Sequence, residues 1–139
     1  MSEYTEVSLE IKDEEIIKET LKELGSPFEV HKDKANLYGY RGDKRIQVAN
    51  IIVRKKHVGV AANDVGFNKL SNGKYELIIS EFDRKQLQGK IFMQKFKQIY
   101  VTKQTKIMLK KKGYKLKKQK VEQDGTVELR FGWDAGKKM

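Results

Sequence analysis

Residues 103–120 read KQTKIMLKKKGYKLKKQK and hold nine lysines and no acid. Ile107, Met108 and Leu109 stand before Gly113, and Tyr114 and Leu116 after it. Before Gly113 the apolar residues continue a helical spacing. Beyond it they alternate, unevenly, with lysines. Gly113 therefore reads as the stop of a helix and the entry to a strand. A basic segment that also carries core residues presents its charge on a fixed surface, which points to an anionic partner. Whether the lysines share a face depends on how the two elements meet at that turn.

Working upstream, Leu87, Ile91, Phe92, Phe96, Ile99, Tyr100, Ile107 and Met108 recur at helical spacing. Asp83 with Gln86 three residues on forms a capping-box pattern. Together they predict a helix of about 28 residues, roughly 42 Å at ~1.5 Å per residue. Val101, Thr102 and Thr105 weaken its middle and predict a bend or break there. The aromatic and methionine stripe reads as core rather than as a cofactor box. Downstream, Tyr114–Val121 and the cleanly alternating Val127–Phe131 flank a turn at residues 123–126 and predict a C-terminal β-hairpin. Trp133 lies just past it, and residues 134–139 are expected to fray.

In the N-terminal half, Glu6–Ile11 alternates and predicts a half-buried strand showing Val7, Leu9 and Ile11 to the core. Asp13 is a predicted N-cap for a short helix whose apolar face is Ile16, Ile17, Leu21 and Leu24. Gly25 closes it, and Pro27 prevents its continuation. Phe28–His31 reads as a second short strand. Tyr38-Gly39-Tyr40-Arg41-Gly42-Asp43 is a turn-rich segment whose glycines suit positive φ or close backbone approach. Val48–Arg54 carries the continuous run Ile51-Ile52-Val53 expected of a central strand. Val58–Ala62 is expected to extend the sheet, and Asp64-Val65-Gly66-Phe67 leads into a further strand. Ser71-Asn72-Gly73 predicts a hairpin with a type I′ turn before the strand Tyr75–Ile79.

These elements predict an α+β fold. It comprises a mostly antiparallel sheet, a short N-terminal helix, one long second helix packed on the sheet, and a C-terminal β-hairpin. The 139 residues suit one domain, 1–139, able to bury a single core. The net charge of +11 is unevenly placed. Nine acids against three lysines in residues 1–29 leave the rest of the chain strongly basic. One end should attract polyanions and the other repel them. The plain alternative is that the acidic helix lies near the basic strands and neutralises them.

Several chemistries are excluded. With no cysteine, disulfides, thiolate metal sites and cysteine nucleophiles are ruled out. The N-terminus carries no apolar segment of a secretory signal, and no apolar run approaches the ~18 residues of a membrane span. An intracellular protein away from the membrane is expected. His31 and His57, the two histidines, lack partners at metal-ligand spacing and read as strand residues. Neither a phosphate-binding glycine loop nor a nucleophile elbow occurs. No cofactor, metal or catalytic residue is assigned. Asp64 with Arg41 and His57 is the one candidate acid/base cluster.

The basic–aromatic combination offers a clearer chemistry. Lys103, Lys106, Lys110, Lys111, Lys112, Lys115, Lys117, Lys118 and Lys120 surround Tyr114. Lysines on a sheet beside a tyrosine can hold phosphates while the ring stacks a base. Lysine in place of arginine argues against bidentate base reading, so binding would be phosphate-driven and salt-sensitive. The competing interpretation places Tyr114 in the core and leaves the lysines merely solvated.

Tyr38-Gly39-Tyr40-Arg41-Gly42, the apolar strand ending at Val53, Asp64-Val65-Gly66-Phe67, Gly73-Lys74-Tyr75-Glu76-Leu77, the helix bearing Tyr100, Gly113-Tyr114 and Asp124-Gly125-Thr126-Val127 recur in order. This set resembles domain of unknown function 1257, which includes the hypothetical chloroplast reading frame thirty-five proteins of algal plastids and cyanobacteria. The resemblance covers nearly the whole chain. It implies a small α+β domain, brings no catalytic residues, and extends to bacterial and phage genomes. The compartment it implies is therefore bacterial or host cytoplasm, or plastid stroma. The leading expectation is a non-enzymatic accessory protein whose basic C-terminal half binds RNA, DNA or another polyanion. The alternative is a protein adaptor that docks partner proteins through its acidic and basic faces.

Overall fold

The structure is a computed structural model that describes residues 4–59, 61–121 and 127–133. The chain parts into two compact units, Met1–Met93 and Gln94–Met139. In the first, five strands form one antiparallel sheet in the order β1-β5-β4-β3-β2. They are β1 (Tyr4–Ile11), β2 (Glu29–Tyr38), β3 (Lys44–Val53), β4 (Val65–Lys69) and β5 (Tyr75–Ser80). Helix α1 (Glu14–Glu23) follows β1, and α2 (Glu81–Lys85) follows β5. The long helix α3 (Leu87–Lys111) leads from the first unit into the second, which ends in the hairpin β6 (Tyr114–Val121) and β7 (Val127–Trp133). This is the expected α+β class with its antiparallel sheet, long helix and terminal hairpin.

Local chemistry accounts for α1. The Asp13 carboxylate accepts from the amides of Glu15 (2.9 Å) and Ile16 (3.2 Å), satisfying donors the first turn leaves open. Gly25 takes φ +71°, with its amide donating to Lys22 O and that of Ser26 donating to Leu21 O, which closes the helix as a Schellman motif. Ile16, Ile17 and Leu21 are buried, as their spacing requires.

The sheet core follows the strand register. Ile51, Phe67 and Leu77 pair across three strands and are fully buried. The neighbouring row, Ile52, Gly66 and Ile78, joins Leu37 and Ala49 in an apolar cluster flanked by Ala35. With adjacent residues of β3 both buried, that strand lies inside the sheet and is covered on both faces.

Four local expectations are corrected. The second strand is not confined to Phe28–His31: β2 runs on to Tyr38 through an irregularity where Lys34 takes φ +61°. The Asn50 side chain serves the loosened backbone there, donating to His31 O (3.1 Å) and Lys32 O (3.3 Å) and accepting from Lys69 N (3.0 Å). The described residues of the expected Val58–Ala62 extension, 58, 59, 61 and 62, do not join the sheet. They follow a 3-10 turn at Lys55–His57, and Ala61 takes φ +58°, which no strand admits.

The other two corrections concern turns and caps. The β4–β5 turn is not type I′. Among the described residues near it, only Gly73 has positive φ, and the bonds Gly73 N to Leu70 O and Leu70 N to Lys74 O mark a type I turn closed by a glycine bulge. The second helix is capped by Ser80, not Asp83. The Ser80 hydroxyl accepts from Asp83 N (3.1 Å), and α2 then stops at Gln86, whose ψ of 150° separates it from α3. The break thus falls at Gln86, while Val101–Thr105 remains helical.

Along α3, Phe92, Phe96 and Tyr100 are buried, but Leu87, Ile91, Ile107 and Met108 are exposed, so only part of the apolar stripe is core. No helix among the described residues is long and apolar enough to cross a membrane.

Gly66 is where close approach is needed: a Cβ there would stand 2.7 Å from Ala49 Cβ and 3.0 Å from Leu37 Cδ2. Gly66→Ala should cost about 1–3 kcal/mol by overpacking. Urea unfolding reads this directly, and an unchanged midpoint would show that the cluster repacks freely.

Candidate functional site

The nine lysines of the basic segment fall into three groups. On α3, Lys103, Lys106 and Lys110 recur at i, i+3 and i+7 and share a helix face. Lys111 and Lys112 are exposed at its C-terminal end, where positive charge offsets the helix dipole. Gly113 (φ +92°), whose amide donates to Lys110 O at 3.0 Å, then turns the chain into β6.

In the hairpin, Leu116 pairs with Phe131 and Lys118 with Arg130, leaving Lys117 as an inserted residue. This β-bulge explains the uneven alternation of the sequence. Register before and after it puts Lys115, Lys118, Lys120 and Arg130 on one face, and Tyr114, Leu116 and Phe131 on the other. The Lys117 stem joins the basic face, lying over Gly132 so closely that a Cβ there would be 3.1 Å from Lys117 Cε. Glu128 shares that face and is paired with Arg130 at 3.3 Å.

Lys106 and Lys110 of α3 meet the hairpin in one cleft of about 450 Å³, completed by Tyr114, Lys115, Leu116 and Phe131. Tyr114, Leu116 and Phe131 are half-buried, so the cleft has an apolar and aromatic floor with ammonium groups beside it. The turn at Gly113 therefore brings Lys106 and Lys110 to a cleft that Lys115 also lines, although its register puts Lys115 on the hairpin face of Lys118 and Lys120. Sequence reading missed Leu116 and Phe131 as cleft residues. Their signal, alternation on paired strands, could not give the register across the bulge.

The Tyr38–Phe67 motif gathers in the first unit around a buried carboxylate. Asp64 is 1% exposed. Its Oδ2 accepts from Tyr38 N (2.8 Å) and Arg54 Nη1 (2.7 Å), and its Oδ1 accepts from Lys55 N (2.8 Å). Arg54 also grips Glu29 with two bonds, Nε to Oε2 at 2.9 Å and Nη2 to Oε1 at 2.7 Å, and donates to Asn36 O at 3.2 Å. Its guanidinium lies 5.8 Å from the centre of the Tyr38 ring. His31 Nε2 is 2.7 Å from Glu29 Oε1.

A parallel network runs from Tyr40 N to Asn63 Oδ1 (3.0 Å). The Asn63 amide donates to Ser80 Oγ (3.0 Å), and Asn63 N donates to Asp83 Oδ2 (3.0 Å). Burial pushes the Asp83 carboxyl above its ordinary value, against the hydrogen bonds of Asn63 and Ser80. Gly39 and Gly42 (φ +81°) shape the β2–β3 turn, and Gly66 and Phe67 are buried in β4.

Asp64, Arg41 and His57 read differently in this light. Asp64 is committed to Arg54 and two main-chain amides. Arg41 is exposed and engages Tyr40, with Nε donating to its hydroxyl at 3.1 Å and the guanidinium 5.5 Å from the ring centre. His57 is half-buried in the 3-10 turn. The arrangement is a structural clamp, and the partner that sequence spacing missed is Arg54. Among the described residues no group of three or more His, Cys, Asp or Glu could hold a metal ion.

The model of the family of proteins of unknown function DUF1257 matches residues 20–130. The chain belongs to this family. The match takes in the clamp and every lining residue of the basic cleft except Phe131. No curated protein and no solved structure matches the chain.

Two outcomes follow for the clamp. Asp64→Ala leaves the Tyr38 and Lys55 amides and one Arg54 donor without their acceptor, and should cost about 1–3 kcal/mol in urea unfolding. Arg54 lowers the Glu29 carboxyl to about 2, against burial and with help from His31. Its stabilising contribution is therefore present above the ordinary carboxylate range, near 4.5, and is lost as pH falls toward about 2. Glu29→Gln should lower stability at neutral pH and flatten this acid limb. An unchanged limb would remove Glu29 from the account.

Proposed function

We propose that this member of the family is a polyanion-binding accessory protein whose second unit holds nucleic acid through phosphate contacts. The observation that carries the reading is the convergence of Lys106, Lys110 and Lys115, from two separate elements, on one cleft. Lys115, Lys117, Lys118 and Lys120 extend positive charge over the adjoining hairpin face. Residues 84–121 contain no acid, so no local carboxylate from that segment neutralises this surface. Ammonium groups held on a helix and a hairpin meet a phosphate chain with less ordering cost than a tail would. Lysine supplies point charges without the bidentate geometry that reads bases, so this binding distinguishes little between sequences.

A second reading, a protein adaptor, draws on α1, where Glu15, Glu19 and Glu23 are exposed at successive i+4 positions. An adaptor should retain a defined protein partner after nuclease treatment, and a nucleic-acid binder should not.

Anisotropy with a labelled oligonucleotide tests the leading reading. With about four phosphates contacted, affinity should fall roughly a hundredfold between about 50 and about 200 mM salt. Lys115→Glu with Lys117→Glu should weaken it at least about tenfold further at low salt. Absence of binding at low salt would overturn the proposal.

A further inference from the structure

The cleft holds more chemistry than phosphate binding needs. A surface that only neutralised a backbone would carry lysines without an apolar floor, as the opposite hairpin face does with Lys118, Lys120 and Arg130. In the cleft, Lys106 and Lys110 instead stand beside Tyr114, Leu116 and Phe131. Leu116 and Phe131 are cross-strand partners on one hairpin face, and all three floor residues keep part of their surface open to solvent. Its volume, about 450 Å³, lies in the range of small-ligand clefts.

A duplex does not match this combination. Its bases are stacked inside, and it presents a convex surface of phosphate and sugar. An unpaired nucleotide does match it, offering an apolar plane and an anionic backbone on either side.

Resting on the polyanion reading, we infer that the cleft is a single-strand site: it takes one unpaired base against Tyr114, Leu116 and Phe131 while Lys106, Lys110 and Lys115 hold the flanking phosphates. Stacking of this kind tolerates any base, because every base has a π-face. The site therefore selects strandedness rather than sequence. RNA and DNA single strands share the chemistry, and nothing in the floor demands a 2′-hydroxyl.

The test uses the full chain and three ligands of equal length at one low salt concentration: a single strand, its duplex, and a single strand whose central nucleotides are abasic. The abasic strand keeps the backbone charge and removes the plane, so it probes the floor without altering the protein. The intact single strand should bind about tenfold or more tighter than the abasic strand, in line with the worth of one stacked base. It should also bind tighter than the duplex. Phe131→Leu, which keeps an apolar side chain, should narrow the gap between intact and abasic strands, whereas Lys106→Gln should weaken all three ligands. Equal binding of intact and abasic strands would overturn the single-strand site and leave the polyanion reading standing. Tighter binding of the duplex would overturn it too, and would favour the hairpin lying in a groove. If none of the three ligands binds, the polyanion reading itself fails, and the single-strand site with it.

Discussion

A carboxylate at 1% exposure must find hydrogen-bond partners, because an unpaired buried polar group is costly, and the first unit is arranged around this need of Asp64. Its partners come from separate places in the chain: the end of β2 through Tyr38 N, the end of β3 through Arg54, and the following turn through Lys55 N. Each contact is worth having only while the others are made, because losing one leaves a desolvated group behind. Arg54 extends the constraint to the start of β2, where Glu29 takes two of its donors. One guanidinium thus bonds both Glu29, at the start of this edge strand, and Asn36 O, beyond its bulge. The bulge loosens main-chain pairing between β2 and β3, and side-chain bonds from Arg54 and Asn50 hold the two strands across it. The exposed Tyr40–Arg41 tip stands on this foundation, with its main chain anchored to Asn63.

Much of this was legible in the chain, and the part that was not shares a physical cause. The α1 cap, its glycine stop, the buried Ile51–Val53 run and the terminal hairpin all follow from signals within a few residues of one another. Arg54 was out of reach because its partners lie 25 and 10 residues away, and sequence spacing does not report pairing across strands. β2 was underestimated because Lys32, Asp33 and Lys34 interrupt its alternation at the bulge. The helix cap at Asp83 was a near miss. Its side chain is buried and accepts from Asn63, so the capping task falls to Ser80, whose hydroxyl accepts from Asp83 N. The break at Gln86 then follows from packing: a Cβ on Gly89 would stand 1.9 Å from Asp83 O, so α3 begins on a path that only glycine permits.

For the basic segment, composition announced charge but could not say where it would point. Helical spacing does place Lys103, Lys106 and Lys110 on one face without further information. The strand half is different, because side-chain direction in a strand reverses with every residue. Continuous alternation from Tyr114 would put Lys115 and Lys117 on one face, and Lys118 and Lys120 on the face of Tyr114 and Leu116. Two lysines would then sit beside the apolar floor, and Gln119 would stand on the basic side.

The inserted Lys117 resolves that conflict. By adding one residue to β6 and none to β7, it returns Lys118 and Lys120 to the side of Lys115 and restores Gln119 to the side of Leu129. A strand slip of one position exchanges its two faces, so a single bulged residue is enough to sort the hairpin into an apolar face and a basic one. The bulged lysine also keeps its own stem useful, because Gly132 opposite Lys115 leaves the space it occupies. Gly132 and Lys117 therefore act as a pair: the glycine admits the stem, and the stem covers a stretch of backbone that the glycine would otherwise leave bare. The two surface chemistries of the hairpin, an apolar floor and a lysine-rich back, follow from the placement of that one residue.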